Sequence, residues 1–186
     1  MEIGFLLGFV VSKYVICNYP LKIVAIVALP PPTDITKLQI FQGKENFLHH
    51  FVCNFAEKMH GYMHLLKKRT PFIWDDQDQW DFDNLKHAIT HSPMSHPPNY
   101  SKDFLLYIDA STTTIGMVLV HEDSNGQEHV IYYLSKRIIE FETQYSHVEK
   151  LALAMVIVVQ NFRHYILLCT TTILADQNPM YYIMTC

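Results

Sequence analysis

The sequence predicts an α/β fold for the C-terminal part of the chain and a smaller, mainly helical part before it. From about residue 103 onward, short β-branched apolar runs alternate with helical segments, which is the order typical of α/β domains. Asn125-Gly126 lies between two of these runs and is a strong hairpin signal. In residues 20–68, by contrast, apolar residues recur at helical spacing between prolines.

The composition of the 186-residue chain is that of a globular protein with a sizeable core. Apolar residues make up 49% of it and charged residues 17%, which excludes a disordered chain. A net charge of −4 lacks the basic excess of a dedicated nucleic-acid binder. Residues 101–186 carry 5 basic and 9 acidic groups, which fits either a solvated face or carboxylates gathered around a divalent metal.

The cysteines and the N-terminus predict an intracellular protein, in the cytoplasm or nucleus, that is neither secreted nor bound to a membrane. The 4 cysteines form no Cys-x-x-Cys pair, which disfavours a zinc ribbon or a disulfide scaffold. The apolar opening over residues 1–11 lacks a basic leader and meets Lys13 too early to span a bilayer. We expect this opening to form a buried strand.

The elements of the N-terminal part follow from prolines and from helix-capping residues. Asp34 and Asn54 are expected to cap helices, and Pro30-Pro31-Pro32 ends the helix before them. A domain boundary is placed near residue 71, which divides the chain into 1–71 and 72–186. The expected elements are a strand pair within 5–19, helices at 21–29, 34–50 and 54–68, and an acidic helix ending near 91.

The elements of the C-terminal part form the predicted mixed sheet. Phe104–Ile108 is a continuous apolar run, as in a strand that is covered on both faces. The longest helix is apolar on all sides and is therefore expected to be central. The expected elements are strands near 104–109, 115–121, 128–134 and 170–175, a helix at 147–165, and a last helix opened by Asn178-Pro179.

Short motifs follow one another along nearly the whole chain. They are Leu29-Pro30-Pro31-Pro32-Thr33, residues 38–43 and 46–51, Asn54-Phe55, Leu65-Leu66-Lys67-Lys68, Phe72-Ile73-Trp74, Phe82-Asp83-Asn84-Leu85-Lys86, Pro93, Tyr107-Ile108-Asp109-Ala110-Ser111, Ile115-Gly116, Tyr145-Ser146-x-x-Glu149-Lys150, Phe162-Arg163-x-Tyr165 and Ala175-Asp176. This ordered set resembles the thumb, the connection and the RNase H-like domain of reverse transcriptase from gypsy-type LTR retrotransposons, which is part of the Pol polyprotein.

The resemblance implies a fold and a chemistry. The fold is an RNase H-like mixed sheet with a central helix, ending here before the family's last strand and helix. The chemistry is hydrolysis of the RNA strand of an RNA–DNA hybrid by two divalent ions about 4 Å apart, Mg²⁺ or Mn²⁺, held by carboxylates. On this resemblance Asp109, Glu149 and Asp176 are the catalytic residues and metal ligands, and the family's fourth acid lies beyond the chain.

Each of the three acids also has a purely structural interpretation, which stays open. Asp109 ends a strand and is suited to an Asx-turn. Glu149 lies three residues after Ser146, which is the spacing of a capping box. Asp176 stands two residues before Asn178 and is suited to a turn or a helix start.

The resemblance also implies partners. RNA–DNA hybrid is the expected ligand, and Ser111, His49, His50, Lys67 and Lys68 are the expected nucleic-acid contacts, with the two histidines standing where the family has arginines. A polymerase palm upstream and an integrase downstream are the expected polyprotein neighbours. Because the chain has no Tyr-x-Asp-Asp motif, it cannot polymerise DNA. The competing function is that of a catalytically inactive remnant that binds nucleic acid or protein.

Two further groups of side chains are expected to be structural. The pairs His60/His64 and His87/His91 are spaced to share a helix face and to ligate a metal, but each lacks a third ligand nearby. The acidic run between Asp75 and Asp83 is expected to be an exposed helix face.

If the catalytic assignment is correct, the three acids converge. Asp109 and Asp176 are then expected at the same end of neighbouring strands, with Glu149 reaching over them from the first helical turn. At least two carboxyl groups should lie within about 6 Å of each other, which should raise the pKa of at least one of them. A divalent ion bound there would raise the melting temperature.

Overall fold

The computed structural model describes residues 3–6, 9–67, 70–92 and 94–181. The chain divides into two compact units, Met1–Met94 and Ser95–Cys186. The division between these compact units lies in the proline-containing connector, and the domain boundary near residue 71 stays a prediction.

The first unit contains a small antiparallel sheet followed by helices. The sheet has three strands in the order β1-β2-β3 where the sequence predicted a pair. The elements are β1 (Ile3–Leu6), β2 (Phe9–Ser12), β3 (Ile16–Asn18), α1 (Pro20–Val27), α2 (Ile35–Glu45), α3 (Phe55–Lys58), α4 (His60–Met63) and α5 (Asp76–Thr90), with 3₁₀ turns at Asn46–Phe51 and His64–Leu66.

Two helices of this unit are shorter than the sequence predicted. The α-helix that begins after Asp34 ends at Glu45 instead of His50, and a 3₁₀ turn follows it. The helix predicted over 54–68 is broken into α3, α4 and a 3₁₀ turn. Asn54 has a left-handed backbone (φ 53°) and makes no cap hydrogen bond to the backbone; its side-chain amide donates to the Glu57 carboxylate instead.

The helix α5 belongs to the core of the first unit, which explains where this unit ends. Its side chains Phe82, Leu85 and Ile89 are fully buried in one cluster with residues of α2 and α4. The Phe82 ring packs against the Phe41 ring in a tilted arrangement, with the ring centroids 4.6 Å apart. This burial joins α5 to the residues before it, and so the compact unit continues past residue 71.

The acidic run at the start of α5 is not simply an exposed face. Asp75 is the N-cap and accepts the backbone N–H of Asp78 at 2.8 Å. The Asp78 carboxylate accepts the N–H of Asp75 in return and is buried, with 1% of the residue exposed. Burial, the largest effect, raises the pKa of Asp78.

The second unit is built on the predicted four-stranded mixed sheet. The strand order is β6-β5-β4-β7, with β4/β5 and β5/β6 antiparallel and β4/β7 parallel. All four predicted strands and the long helix are present within a few residues of their predicted bounds. They are β4 (Phe104–Ala110), β5 (Thr114–Glu122), β6 (Glu128–Arg137), α6 (His147–Ile166) and β7 (Thr171–Leu174), with a 3₁₀ turn at Glu140–Gln144 before α6.

The helix α6 packs on one face of this sheet and closes the core. Leu151, Ala154, Val158 and Phe162 are buried against strand residues of β4, β5 and β6. The helix is not covered on all sides as the sequence suggested, because the exposed fraction of Val156 and of Val159 is 53%. The predicted last helix starts after Asn178, whose side chain accepts the N–H groups of Met180 and Tyr181, and the rest of this prediction lies outside the described residues.

The core of the first unit contains a carboxyl group hydrogen-bonded to a tyrosine hydroxyl. Among the described residues, no basic side chain forms an ion pair with this carboxyl group. Glu45 is fully buried at the end of α2, and the Tyr62 hydroxyl donates to its Oε2 at 3.0 Å. Burial raises the pKa of Glu45 from 4.5 to about 8. The carboxyl group is therefore mostly protonated at neutral pH, and opening this core releases its proton.

We predict that the stability of the first unit falls with rising pH because of Glu45. A folded pKa above the unfolded value gives a stabilising contribution that is complete below pH 4.5 and is lost as the pH rises through about 8. The free energy of unfolding should fall by up to about 1.4 kcal/mol per pH unit in the middle of this window, where the unfolded carboxyl has lost its proton and the folded one keeps it. Urea titrations followed by Trp74 and Trp80 fluorescence report on this unit alone, because it contains both tryptophans.

The control is Glu45→Gln, which keeps an acceptor for Tyr62 and removes the titration. His50, whose pKa is lowered from 6.5 to about 4, gives a slope of opposite sign up to about pH 7, and the difference in slope between the wild type and Glu45→Gln removes this shared contribution. An unchanged slope in Glu45→Gln would contradict the assignment.

Candidate functional site

The candidate site lies at the edge of the second sheet where two parallel strands end. In β4 and β7, Phe104 pairs with Thr171 and Tyr107 pairs with Leu174. Asp109 and Asp176 each lie two residues beyond this last pair, in the same chain direction. The two aspartates therefore lie at the same end of neighbouring strands, as predicted.

Asp109 is exposed at the end of β4, just before the turn into β5. Its Oδ1 accepts the backbone N–H of Ala110 at 2.8 Å. The turn is closed by Ser111, whose hydroxyl donates to the Thr114 carbonyl and accepts the Thr114 N–H. Ser111, expected to contact nucleic acid, thus uses its hydroxyl to hold the turn beside Asp109.

Glu149 closes a capping box at the start of α6. Its Oε2 accepts the N–H of Ser146 at 2.7 Å, and the Ser146 hydroxyl accepts the N–H of Glu149 at 3.4 Å. The hydrogen bond from the Ser146 N–H to the carboxylate is the largest cause of a lowered pKa at Glu149. The residue is exposed, whereas the neighbouring positions Lys150 and Leu151 face the sheet.

Asp176 is paired with a histidine that the sequence analysis did not single out. Nε2 of His147, the first residue of α6, lies 2.9 Å from Oδ1 and 2.8 Å from Oδ2 of Asp176. The hydrogen bond from His147 is the largest cause of a lowered pKa at Asp176. The pair joins the N-terminus of the helix to the end of β7.

A buried lysine lies at the same end of the sheet. Lys150 is 6% exposed, and its Nζ donates to the carbonyl of Thr112 at 3.5 Å, in the turn that follows Asp109. Burying an ammonium group with one long hydrogen bond is unfavourable. The first turn of α6 thus directs a cation, and not the Glu149 carboxylate, toward the sheet.

These contacts change two expectations. We expected crowding to raise a carboxyl pKa, but the pKa values of Glu149 and Asp176 are lowered because both accept hydrogen bonds from neighbours outside the trio.

Carboxylate oxygens are suitable ligands for Mg²⁺. However, no three His, Cys, Asp or Glu side chains within residues 3–6, 9–67, 70–92 and 94–181 are grouped so that they could hold a metal ion. As folded, the donor set does not fit the two-ion site of the resemblance.

The other predicted nucleic-acid contacts lie in the first unit. His50 packs against Phe9 and Phe51, and burial followed by the neighbouring His49 lowers its pKa to about 4, so it is uncharged at neutral pH. Lys67 is exposed after the last 3₁₀ turn, whereas Lys68 lies outside the described residues. Lys67 therefore remains a candidate phosphate contact, and neutral His50 cannot form an ion pair.

The two histidine pairs have local partners. The His87 and His91 rings stack at 4.0 Å, and Nδ1 of His91 lies 2.8 Å from the His87 carbonyl. Nδ1 of His64 lies 3.8 Å from the buried Asp78. Neither pair belongs to a metal-holding group in the part of the chain that the structure describes.

Comparison with protein families decides the classification. Residues 74–173 match the family model described as the RNase H-like domain found in reverse transcriptase. The chain belongs to this family. The match begins within the residues that precede α5 and ends in β7, so it includes Asp109 and Glu149.

Curated relatives of this RNase H-like chain are retrotransposon polyproteins. The Pol polyprotein of transposon 297 of Drosophila melanogaster is 33% identical over 175 residues, which is 94% of this chain and 16% of the relative. That of transposon 412 from the same organism is 30% identical over 175 residues, 94% of this chain and 13% of the relative. A Tf2-3 polyprotein of Schizosaccharomyces pombe is 27% identical over 135 residues, 73% of this chain and 10% of the relative. The chain thus spans less than a fifth of these relatives.

Solved structures share the fold at lower identity. The foamy viral protease-reverse transcriptase in complex with dsDNA matches with a TM-score of 0.86 and 18% identity, over 100% of this chain and 39% of that one. The same kind of protein in complex with an RNA/DNA hybrid matches with a TM-score of 0.74 and 20% identity, over 85% and 21%. These likenesses confirm the RNase H-like α/β fold.

Among the described residues, no helix combines the length and the apolar character that crossing a bilayer requires.

Sequence reasoning missed His147 and Lys150, although a signal for each was present. With Ser146 as the N-cap, His147 is the first residue of α6. The start of a helix that leads into a parallel strand lies near the C-terminal end of that strand, which here is the end of β7. Lys150 lies four residues before Ala154 and seven before Ile157, and this spacing places it on the buried face of the helix.

We predict that the Ser146–Glu149 capping box contributes stability independently of any chemistry. Ser146→Ala removes the acceptor for the Glu149 N–H and should lower the free energy of unfolding by about 1 kcal/mol. Glu149→Gln keeps an acceptor for the Ser146 N–H and should change the melting temperature little. Thermal unfolding by circular dichroism measures both. A large loss of thermal stability in Glu149→Gln would contradict the prediction, because it would show that the carboxylate charge and not the cap hydrogen bond is stabilising.

Proposed function

We propose that this chain is the hybrid-contacting segment of a gypsy-type retrotransposon reverse transcriptase, acting within a longer Pol polyprotein. In this proposal residues 1–71 correspond to thumb and connection, and residues 72–186 to the RNase H-like domain. The observation that carries the proposal is the family match over residues 74–173, together with relatives that are Pol polyproteins. The complex of the foamy viral relative with an RNA/DNA hybrid supports the choice of ligand.

The charge distribution of this chain favours weak binding. The net charge is −4, and the second unit has more acidic than basic groups. Phosphate contacts normally supply non-specific affinity in the range of about 10⁻⁴–10⁻⁶ M, and an acidic chain offers few of them. We therefore expect firm binding to need the remaining parts of the polyprotein.

By itself, the chain is expected to bind hybrid without cleaving it. At the sheet edge the carboxylates of Glu149 and Asp176 are engaged by Ser146 and His147, and no metal-holding group forms among the described residues. When bound, two divalent ions would supply a polarised water and stabilise the leaving oxygen. The residues present do not assemble a place for them.

A second candidate function, metal-dependent hydrolysis by Asp109, Glu149 and Asp176, is favoured by one observation. The parallel register of β4 and β7 brings Asp109 and Asp176 to the same sheet end, as such a site requires. A cleavage assay distinguishes this second candidate function from the first.

We predict no cleavage when the purified chain is incubated with 5′-labelled RNA–DNA hybrid and Mg²⁺ or Mn²⁺. The assay resolves labelled RNA fragments on a gel and includes Asp109→Asn as the matched control. Cleavage in the wild-type protein that disappears in Asp109→Asn would establish the second candidate function instead.

We also predict salt-dependent binding of hybrid through Lys67. Fluorescence anisotropy with a labelled hybrid should show several-fold weaker binding for Lys67→Ala, and a slope of log affinity against log salt that is smaller by about 1. Lys44→Ala removes another exposed lysine of the first unit and should have little effect. Equal effects of both substitutions would indicate unspecific charge attraction and contradict the assigned contact.

A further inference from the structure

Three histidines come together at the end of the second sheet away from Asp109. His121 and His129 pair across β5 and β6, and their ring centroids are 5.7 Å apart. The ring of His96, from the segment before β4, lies 4.3 Å from the ring of His129. His96, His121 and His129 form the histidine cluster, and all three belong to the second unit.

His96 attaches its segment to the edge of the sheet. The strand β6 is an edge strand, and the His96 backbone N–H donates to the Val130 carbonyl of that strand at 2.7 Å. The two prolines that follow have no N–H group with which to add a further bond. Ser95, just before, is buried. The segment 95–98 therefore lies along β6 beside the histidine cluster, with His96 supplying a backbone hydrogen bond that holds it there.

Two nitrogens of the histidine cluster are buried without a hydrogen bond. Nδ1 of His96 and Nδ1 of His121 have no hydrogen-bond partner among the residues that the structure describes. The exposed fraction of His121 is 8%. Protonation makes both nitrogens of an imidazole N–H donors. A proton on either ring would thus bury an unpaired donor on a charged group, which is costly.

The charged groups that face His121 oppose a proton on it. Burial is the largest cause of its lowered pKa, followed by His129, Lys102 and His96. The Lys102 ammonium is held at this end of the sheet, where it donates to the Glu122 carbonyl at 2.6 Å. Burial likewise lowers the pKa of His96, with His129 as the next cause. Both rings are therefore neutral at neutral pH.

The nearby acids are engaged elsewhere. Asp123 raises the pKa of His121, but it is the smallest of the causes. Its carboxylate lies 3.3 Å from Nε2 of His129 and accepts two backbone N–H groups of the hairpin turn. Glu128, next to His129 in β6, accepts the Tyr107 hydroxyl. Neither carboxylate pairs with the two unbonded Nδ1 atoms.

We propose that the histidine cluster is an acid-sensitive closure: with His96 and His121 neutral, the segment 95–98 stays on β6, and a proton on either ring releases it. The proposal concerns the second unit alone and goes beyond the proposed function, since it requires no nucleic acid. Opening hydrates both rings, which then titrate at the ordinary histidine pKa of about 6.5. Because the closed form binds fewer protons, closure is complete above that pH and weakens as the pH falls below it.

The test is amide hydrogen exchange of the full chain, measured by mass spectrometry between pH 5.5 and 7.5. A fragment that ends at Pro98 reports chiefly the His96 N–H, because prolines carry no amide proton, and an unfolded peptide of the same sequence corrects for the intrinsic pH dependence. The opening constant should rise by about threefold or more from pH 7.5 to 5.5, and by up to about tenfold for each histidine that stays neutral when closed.

Two results in the wild type would overturn the proposal. One is an opening constant of the His96 N–H that does not change with pH. The other is an equal rise in the opening constants of the amides of α6, because the whole second unit would then unfold in acid and the segment 95–98 would have no separate motion.

Variants assign the effect to the two buried rings. His96→Asn with His121→Phe removes both titrations, keeps a ring at the buried position and keeps the backbone N–H that is measured. Its opening constant should become nearly independent of pH. His164→Asn is the matched control, since it removes an exposed histidine of α6 in the same unit and should leave the wild-type pH dependence unchanged. A double variant with the wild-type dependence would overturn the roles of His96 and His121.

A single variant keeps the test decisive if the buried substitution is not tolerated. Circular dichroism shows whether the double variant folds. Should His121→Phe prevent folding, His96→Asn alone replaces it, because His96 is only half-buried. The acid-induced rise in the opening constant must then be smaller than in the wild type, and an unchanged rise would overturn the proposal.

Discussion

The packing of α6 against one face of the four-stranded sheet is the interaction on which the second unit depends. Leu151, Ala154, Val158 and Phe162 bury the sheet's inner face, and the helix is also the crossover that returns the chain to pair β7 with β4. A parallel pair needs such a long connection, since a tight turn can join only antiparallel strands. The position of Asp176 beside Asp109 is therefore a product of helix packing and not of local sequence.

The same packing sets the electrostatics of the sheet edge through the rotation of the helix. Successive residues of an α-helix point about 100° apart. With Leu151 and Ala154 in the core, Lys150 faces inward beside them and Glu149 turns out toward Ser146. If α6 were rotated by one residue position, the Glu149 carboxylate would take the place of the Lys150 ammonium at this edge. The direction of each side chain at this edge thus depends on helix packing, which is why a fold by itself does not establish an activity.

Much of this architecture was predictable from the sequence because the signals were local and repeated. The apolar run from Phe104, the Asn125-Gly126 turn and the long apolar helix predicted the second unit within a few residues. The level placement of Asp109 and Asp176 followed, since parallel strands end at one edge. What each carboxylate contacts was not predictable, because capping by Ser146 and pairing with His147 depend on side-chain directions across the fold.

The first unit shows where local patterns fail. Apolar spacing suggested one helix over 54–68, yet Asn54 adopts a left-handed backbone and the segment folds as short turns that pack Tyr62 and Leu65 inward. The raised pKa of buried Glu45 could not be predicted from the sequence either, because it is caused by burial and not by sequence neighbours. The extent of the unit was set by Phe82 and Leu85, whose burial outweighs the change in composition near residue 71.

The parallel pairing of β4 with β7 also orders events during synthesis on the ribosome. The strands β4, β5 and β6 are joined by short turns and can pair soon after they emerge, whereas β7 is separated from β4 by α6. At roughly 5–20 residues per second, Asp109 leaves the exit tunnel several seconds before Asp176. During that interval the nascent sheet has an open edge at β4, and translation speed decides how long this edge is available to other chains.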